Sequence, residues 1–237
     1  PHQHQSQRAC KRSLALAIYS MGIPLGSAGG ILAGGWIAAT IDWRLAFVVV
    51  GCAGIVIAPL FKIVVRDLPR PVAAATDVPD AAKIGTVARL LARKPSFWLL
   101  SLGSASGSML GYGILFWKPS LMIRSFGLDL LQTSWFLGAL MLVGGVIGTL
   151  TGGMLGDRMG ARNKAWYARL PAMAYAIATP FFVTAIFMTD NLLLAFLLFL
   201  IPQAMAYVWL GPVLTAVQHL VAPAQRSTAS ALFLLIN

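Results

Sequence analysis

Acid is what this sequence has least of. It contains no glutamate, and its carboxylate side chains are seven aspartates: Asp42, Asp67, Asp77, Asp80, Asp129, Asp157 and Asp190. Charged residues of both signs make up 11% of the 237, where a soluble domain carries about a quarter. A chain so poor in charge cannot clothe itself in a wetted surface, and a soluble globular class is excluded. Cysteine is also scarce: Cys10 and Cys52 lie far apart, so neither a disulfide framework nor a thiolate metal site follows. The three histidines are His2, His4 and His219. A membrane-embedded enzyme would need a nucleophile with its base, or metal ligands, at membrane depth. The aspartates fall instead in loops or at the ends of apolar runs, and no HExxH-type or paired-carboxylate spacing occurs, so an enzyme is a remote alternative. No catalytic residue, metal site or cofactor is expected.

What is present is apolar length. The chain is 58% hydrophobic with a mean hydropathy of +0.79. Runs long enough to cross a bilayer, about 20 residues each, cover 13–39, 44–65, 97–117, 131–155, 167–188 and 191–213, and a seventh starts near 225. The runs lack the period-two alternation of barrel strands, which predicts helices. The expected class is an all-α membrane protein with six complete transmembrane helices and the start of a seventh. The chain opens in polar "PHQHQSQRACKR" and closes inside apolar "ALFLLIN", the pattern expected of a piece cut at both ends.

The net charge of +11 raises nucleic acid as a partner, but no basic solvated face or binding motif accompanies it. Topology explains the charge instead. Connecting segments on one side hold Arg8, Lys11, Arg12, Arg66, Arg70, Lys83, Arg89, Arg93, Lys94, Arg158, Arg162, Lys164, Arg169 and Arg226, which are 14 of the 18 basic residues. That bias makes this side cytoplasmic. Trp36, Trp43, Trp98, Trp117, Trp135 and Trp166 fall near span ends, as an interfacial belt requires. A multi-pass protein of the cell (inner) membrane is expected. The longest connection, 66–96, starts Pro- and Ala-rich and ends in "AAKIGTVARLLARK", which puts Ile84, Val87, Ala88 and Leu91 on one helical face among basic residues. A basic amphipathic helix on the inner leaflet is the expectation, beside a plain linker helix.

Two further patterns organise the chain. Arg12-Ser-Leu-Ala-Leu-Ala at the first span recurs as Arg226-Ser-Thr-Ala-Ser-Ala at the last, and both open a span running outward. A repeat of about 200 residues fits two parallel halves of six spans, an architecture common in transporters. The divisions are then 1–12, a cytoplasmic loop remnant; 13–65, the last two spans of the N-terminal half; 66–96, the inter-half loop; and 97–237, the C-terminal half truncated in its fifth span. Glycines at i+4 form the second pattern. Gly22, Gly26, Gly30 and Gly34 run down the first span, and Gly144, Gly148 and Gly152 down the fourth. Small residues at this spacing let helices approach closely in lipid, and the two spines are expected to pack against each other between the halves.

Past the second spine lies "GGMLGDRMGARNK". Its Gly153-x-x-x-Asp157-Arg158-x-Gly160-x-Arg162 resembles the signature of the major facilitator superfamily, found between the second and third spans of each half. The repeat places the stretch there independently. Ala161 departs from the family, which usually has a basic residue at that position. Within the superfamily the chain resembles the spinster-like transporters, through "AIYSMGIPLGSAGG", "DWRLAF", "GYGILFWKPSLMIRSFGL" and "WLGPVLTAVQHLVAPAQRSTASALFLLIN". The resemblance implies a major facilitator fold lacking its first four and its last spans, and a secondary active transporter working by alternating access. It implies an amphipathic lipid-like or organic anion as substrate, with proton coupling through an acid in spans outside this chain. It also implies that Asp157 sits beside the cytoplasmic start of the first span, near Arg12 and Ser13. The alternative is a major facilitator carrier of a small organic acid or sugar-type solute. The expected partners are that small-molecule or lipid substrate and the bilayer, with a monomeric full-length protein. Cavity candidates are Tyr112, Trp117, Lys118, Gln203, Tyr207 and Trp209. Pro24, Pro202 and Gly211-Pro212 are expected to kink their helices.

Overall fold

The computed structural model describes residues 12–64 and 84–237. The opening polar stretch and the Pro-rich first part of the inter-half loop lie outside the described residues. Every regular element among the described residues is helical. The order is α1 (Arg12–Ser20), α2 (Gly22–Thr40), α3 (Trp43–Val64), α4 (Ile84–Ala92), α5 (Pro95–Ser125), α6 (Leu130–Gly160), α7 (Trp166–Phe187), α8 (Leu192–Met205), α9 (Leu210–His219), a 3-10 turn (Pro223–Gln225) and α10 (Arg226–Ile236). Six helical stretches are long and apolar enough to span a bilayer: Leu16–Thr40, α3, α5, α6, α7 and Leu192–His219. They coincide with the six runs read from the sequence, and α10 supplies the partial seventh. Both copies of the Arg-Ser-x-Ala repeat open a helix, α1 and α10.

Local chemistry sets the ends. Asp129 accepts a hydrogen bond from the Gln132 N–H at 2.7 Å, and the Gln132 amide oxygen accepts from the Asp129 N–H at 3.2 Å. This capping box satisfies donors that the first turn of α6 would otherwise leave free. Before it, Gly127 at φ 67° lets the chain reverse after α5, a conformation that costs a residue with a Cβ.

Two of the spans are broken. Pro24 has no N–H for the Ser20 carbonyl, and the helix is interrupted at Met21, between α1 and α2. The sixth span breaks between α8 and α9. Its turn tightens to i−3 bonds, Tyr207 N–H to Ala204 O at 3.1 Å and Val208 N–H to Met205 O at 3.2 Å. Pro212 cannot donate to the Val208 carbonyl, so the break persists. Pro24 and Pro212 thus each stand just after an interruption, while Pro202 lies inside α8, which stays helical to Met205.

α6 is the hub: α1, α2, α5, α7, α8 and α9 all pack on it. Its buried face is rich in glycine, including Gly138, Gly144, Gly145, Gly148, Gly152 and Gly153. With lipid as apolar as any side chain, close approach of backbones is the main source of helix attraction. α3 lies at the other extreme, with no buried side chain and Phe47, Ile55, Phe61 and Ile63 exposed.

The glycine spines do not meet as expected. A Cβ built on Gly22, Gly26, Gly30 or Gly34 touches nothing within 4 Å, and Gly22, Gly26 and Gly30 are exposed. The face of α2 that meets α6 carries Pro24, Leu32 and Gly35, which pack on Gly145, Gly138 and Ser134. Gly144, Gly148 and Gly152 face the α8–α9 break, where Gln203, the Ala204 carbonyl and the Val208 carbonyl press on them. The reason is angular. Consecutive helical residues lie 100° apart, so Gly144 and Gly145 look at different partners, and a residue count cannot say which spine faces which helix.

The linker helix is a partial correction. Protein covers part of the apolar face of α4, Val87 and Leu91, while Ile84 stays exposed. Val87 and Leu91, 0% and 1% exposed, are buried with Phe97, Val213, Val217, Val221, Ala229 and Phe233 of α5, α9, α10 and the turn between the last two. The Lys94 ammonium donates to the Leu220 carbonyl just past α9, and the Trp98 indole N–H donates to Ala92 O at 3.0 Å. Arg89 and Arg93 stay exposed on the opposite face.

Candidate functional site: a helix-capping aspartate and a cavity with a buried lysine

The glycine-and-charge stretch forms the C-terminal end of α6 and divides its charges by face. Asp157 is buried, while Arg158 and Arg162 point into the open. Gly153, Gly156 and Gly160 line the buried face, and Gly160 lies under the Tyr167 ring of α7. Asp157 Oδ2 accepts a hydrogen bond at 2.8 Å from the backbone N–H of Leu14, 143 residues away. Leu14 is in the first turn of α1, where N–H groups have no partner within their own helix. The carboxylate thus caps α1 from another helix and meets the positive end of its dipole. Ala161, the C-cap of α6, keeps helical dihedrals.

The second feature lies deeper in the bundle. A cavity of about 630 Å³ is lined from α2, α5, α6, α7, α8, the α8–α9 break, α9 and the end of α10. Its walls are largely apolar, from residues such as Ile23, Leu115 and Val183, with polar side chains among them that include Ser27, Thr179 and the hydrogen-bonded Ser108 and Asn237. Lys118 of α5, 8% exposed, donates to Gln203 Oε1 at 2.8 Å. The Gln203 amide nitrogen approaches Met141 Sδ at 3.5 Å, and the Tyr207 hydroxyl approaches the same sulfur at 3.0 Å. Lys118 Nζ lies 5.9 Å from the centre of the Phe199 ring, which stands edge-on to Phe136 and Phe182. Gly144 makes room for this group, because a Cβ there would lie 2.8 Å from Gln203 Cγ. A second, more apolar cavity of about 650 Å³ between α5 and α7 shares Leu110, Ile114, Lys118 and Phe182 with the first.

Of the cavity candidates, Lys118, Gln203 and Tyr207 come together, and Tyr112 and Trp209 line the same space. Trp117 does not join them: it is 66% exposed and borders the second cavity. Sequence reasoning missed Met141, Phe199 and Tyr175. Only the fold shows that a methionine of α6 holds both polar side chains of the broken span. No metal-binding cluster of His, Cys or Asp is present among the described residues.

A bundle of apolar spans, two of them broken, with a buried cation in a cavity between helices and a carboxylate joining two helices at one end, defines a multi-pass membrane protein. The chain belongs to the Major Facilitator Superfamily, whose profile matches residues 8–237, and within it the chain is spinster-like. It is 35% identical over 230 residues, 96% of its length, to an MFS-type efflux pump of Mycolicibacterium smegmatis, of which it covers 52%. It is 36% identical over 121 residues, 49% of its length, to protein spinster homolog 1 of Homo sapiens, of which it covers 23%. Among solved structures it is similar to a bacterial homolog of the human lysosomal transporter spinster, in an inward-facing and unoccupied conformation. The TM-score is 0.73 at 31% identity, over 94% of this chain and 52% of that one. The chain thus spans about half the length of the efflux pump and of the solved bacterial homolog.

Proposed function

We propose that the full-length protein is a secondary active transporter working by alternating access, and that its substrate is an amphipathic lipid-like or organic anion. The observation that carries the reading is the hydrogen bond between Asp157 and the Leu14 N–H. It ties the C-terminal-half helix α6 to the N-terminal-half helix α1 at the cytoplasmic end. A single carboxylate on a helix terminus is strong enough to bias a two-state equilibrium and weak enough to break in each cycle. Asp157 is the latch of a cytoplasmic gate, and Gly153, Gly156 and Gly160 let α6 approach its neighbours there. Arg158 and Arg162 supply cytoplasmic charge. The anionic character of the substrate is supported by the cavity, whose lining holds a lysine and no acid among the described residues. Proton coupling, which the family resemblance implies, would use an acid elsewhere in the full protein.

The test is side-specific cysteine labelling of the full-length protein in proteoliposomes. Single cysteines are placed at cytoplasmic cavity positions in wild type and Asp157→Asn. Labelling rises in the variant if Asp157 closes the cytoplasmic side. Labelling and transport both unchanged would show that the charge serves topology alone.

A further inference from the structure

Lys118 is out of place for an ordinary membrane lysine. It lies seven residues before the last residue of α5, roughly 10 Å of helix. A lysine that only tolerates the membrane sends its ammonium along its own helix to the interface. Lys62, in the last turn of α3, is such a residue and is exposed. Lys118 instead is 92% buried and reaches sideways to α8. An ammonium has three donors, and here one is used, on the Gln203 amide oxygen, with the Phe199 ring 5.9 Å away. Asp42, Asp129, Asp157 and Asp190, the aspartates within the described residues, are all absent from the cavity lining.

Gln203 is a neutral partner held in a fixed sense. Turning its amide over would set N–H groups against the ammonium, so the oxygen must face Lys118, and Met141 Sδ receives the nitrogen side. A neutral oxygen partly satisfies a buried cation without cancelling its charge. An arriving anion therefore finds a desolvated positive charge with donors to spare, which a carboxylate partner would have quenched.

We propose that Lys118 is the binding site for the anionic head of the transported molecule, with Gln203 the positioning residue that holds the ammonium toward the cavity when it is empty. The ligand class is an oxyanion head, phosphate or sulfonate, on an apolar body. Lys118 borders two cavities whose shared wall is Leu110, Ile114 and Phe182, so the charge stands where an apolar chain has somewhere to lie. Because Gln203 follows Pro202 at the edge of the α8–α9 break, a head group that takes Lys118 from Gln203 loosens the tie between α5 and the broken span.

This inference rests on the transporter reading, and its test separates the two. The full-length protein in nanodiscs is titrated with fluorescently labelled decyl phosphate and with the equally labelled uncharged decanol. A charge-assisted contact of roughly 1.5–3 kcal/mol corresponds to a preference of about ten- to hundred-fold for the phosphate. Lys118→Met should reduce that preference to within about two-fold, because the remaining contacts are apolar and common to both probes. Lys118→Arg should keep most of it, and Gln203→Ala should weaken it partially. Lys118→Met removes the donor to the Gln203 oxygen as well as the charge, so the double variant Lys118→Met/Gln203→Leu, which replaces both partners by apolar chains of similar volume and should fold as the wild type does, is measured beside it. The loss of preference should appear in both variants whatever their melting temperatures, whereas a merely structural lysine would leave the preference of the folded protein intact. A ten-fold preference surviving in folded Lys118→Met overturns the assignment, as does wild type that binds both probes equally. If side-specific labelling still reports alternating access in either case, the transporter reading stands and only the anion site falls.

Discussion

Gly148 and Gly26 look alike in the sequence, and the fold gives them opposite fates. A Cβ added at Gly148 would overlap the Ala204 carbonyl and lie 2.7 Å from its carbon and 2.9 Å from its Cα. These are backbone atoms, which no rotamer change moves aside. Gly148→Ala therefore forces α6 and α8 apart at the turn where the sixth span breaks. Overpacking of this kind costs about 1–3 kcal/mol. A Cβ at Gly26 meets nothing within 4 Å. Gly26→Ala exchanges the poorest ordinary helix former for the best, a gain of about 0.8–1 kcal/mol where nothing opposes it. The pair should differ by roughly 2–4 kcal/mol. At about 2–4 °C per kcal/mol for a chain of this size, Gly148→Ala lowers the melting temperature and Gly26→Ala leaves it level or raises it. The assay is thermal unfolding of the purified 237-residue chain in detergent, followed by fluorescence-detected size exclusion. Equal losses in both variants would refute the assignment of faces and restore the expected contact between the spines.

Further outcomes follow from the same contacts. Asp157→Asn keeps an oxygen for the Leu14 N–H but removes the charge, worth roughly 0.3–1 kcal/mol and up to about 2 when partly buried. The inward-open population of the full protein should rise about two- to five-fold, up to about thirty-fold, read by cytoplasmic cysteine labelling. Leu91→Ala empties a fully buried site, a loss of about 2–5 kcal/mol. Hydrogen exchange across residues 84–92 should accelerate sharply, and unchanged protection would show that α4 does not depend on this docking. Asp129→Ala dismantles the capping box of α6 and should cost about 0.5–2 kcal/mol in thermal stability. A shift below that range would mean that water or a neighbour caps the helix instead.

Much of this protein is determined by composition and order alone. Apolar runs of membrane length, without acid inside them, have to become helices, because lipid offers no partner to an open backbone. The six spans, the partial seventh and the breaks beside Pro24 and Pro212 were legible for that reason: each depends on residues adjacent in the chain. The Gly153–Arg162 stretch and the repeated Arg-Ser-x-Ala start were legible too, since a motif is local by nature. What only the tertiary structure decided is which face each helix turns to which neighbour. Gly22, Gly26, Gly30 and Gly34 have the spacing of a packing surface, yet α2 packs through Pro24, Leu32 and Gly35. α4 has the pattern of an inner-leaflet helix, yet Val87 and Leu91 are buried in protein, because an amphipathic face does not record whether lipid or protein will cover it. Met141 carries no sequence signal as a polar partner. It became one because α6 brings its sulfur to Gln203 and Tyr207, 62 and 66 residues along the chain. Periodicity determines that a helix has a face. The rotation of rigid cylinders about their axes, settled by close packing of all of them together, decides what that face meets.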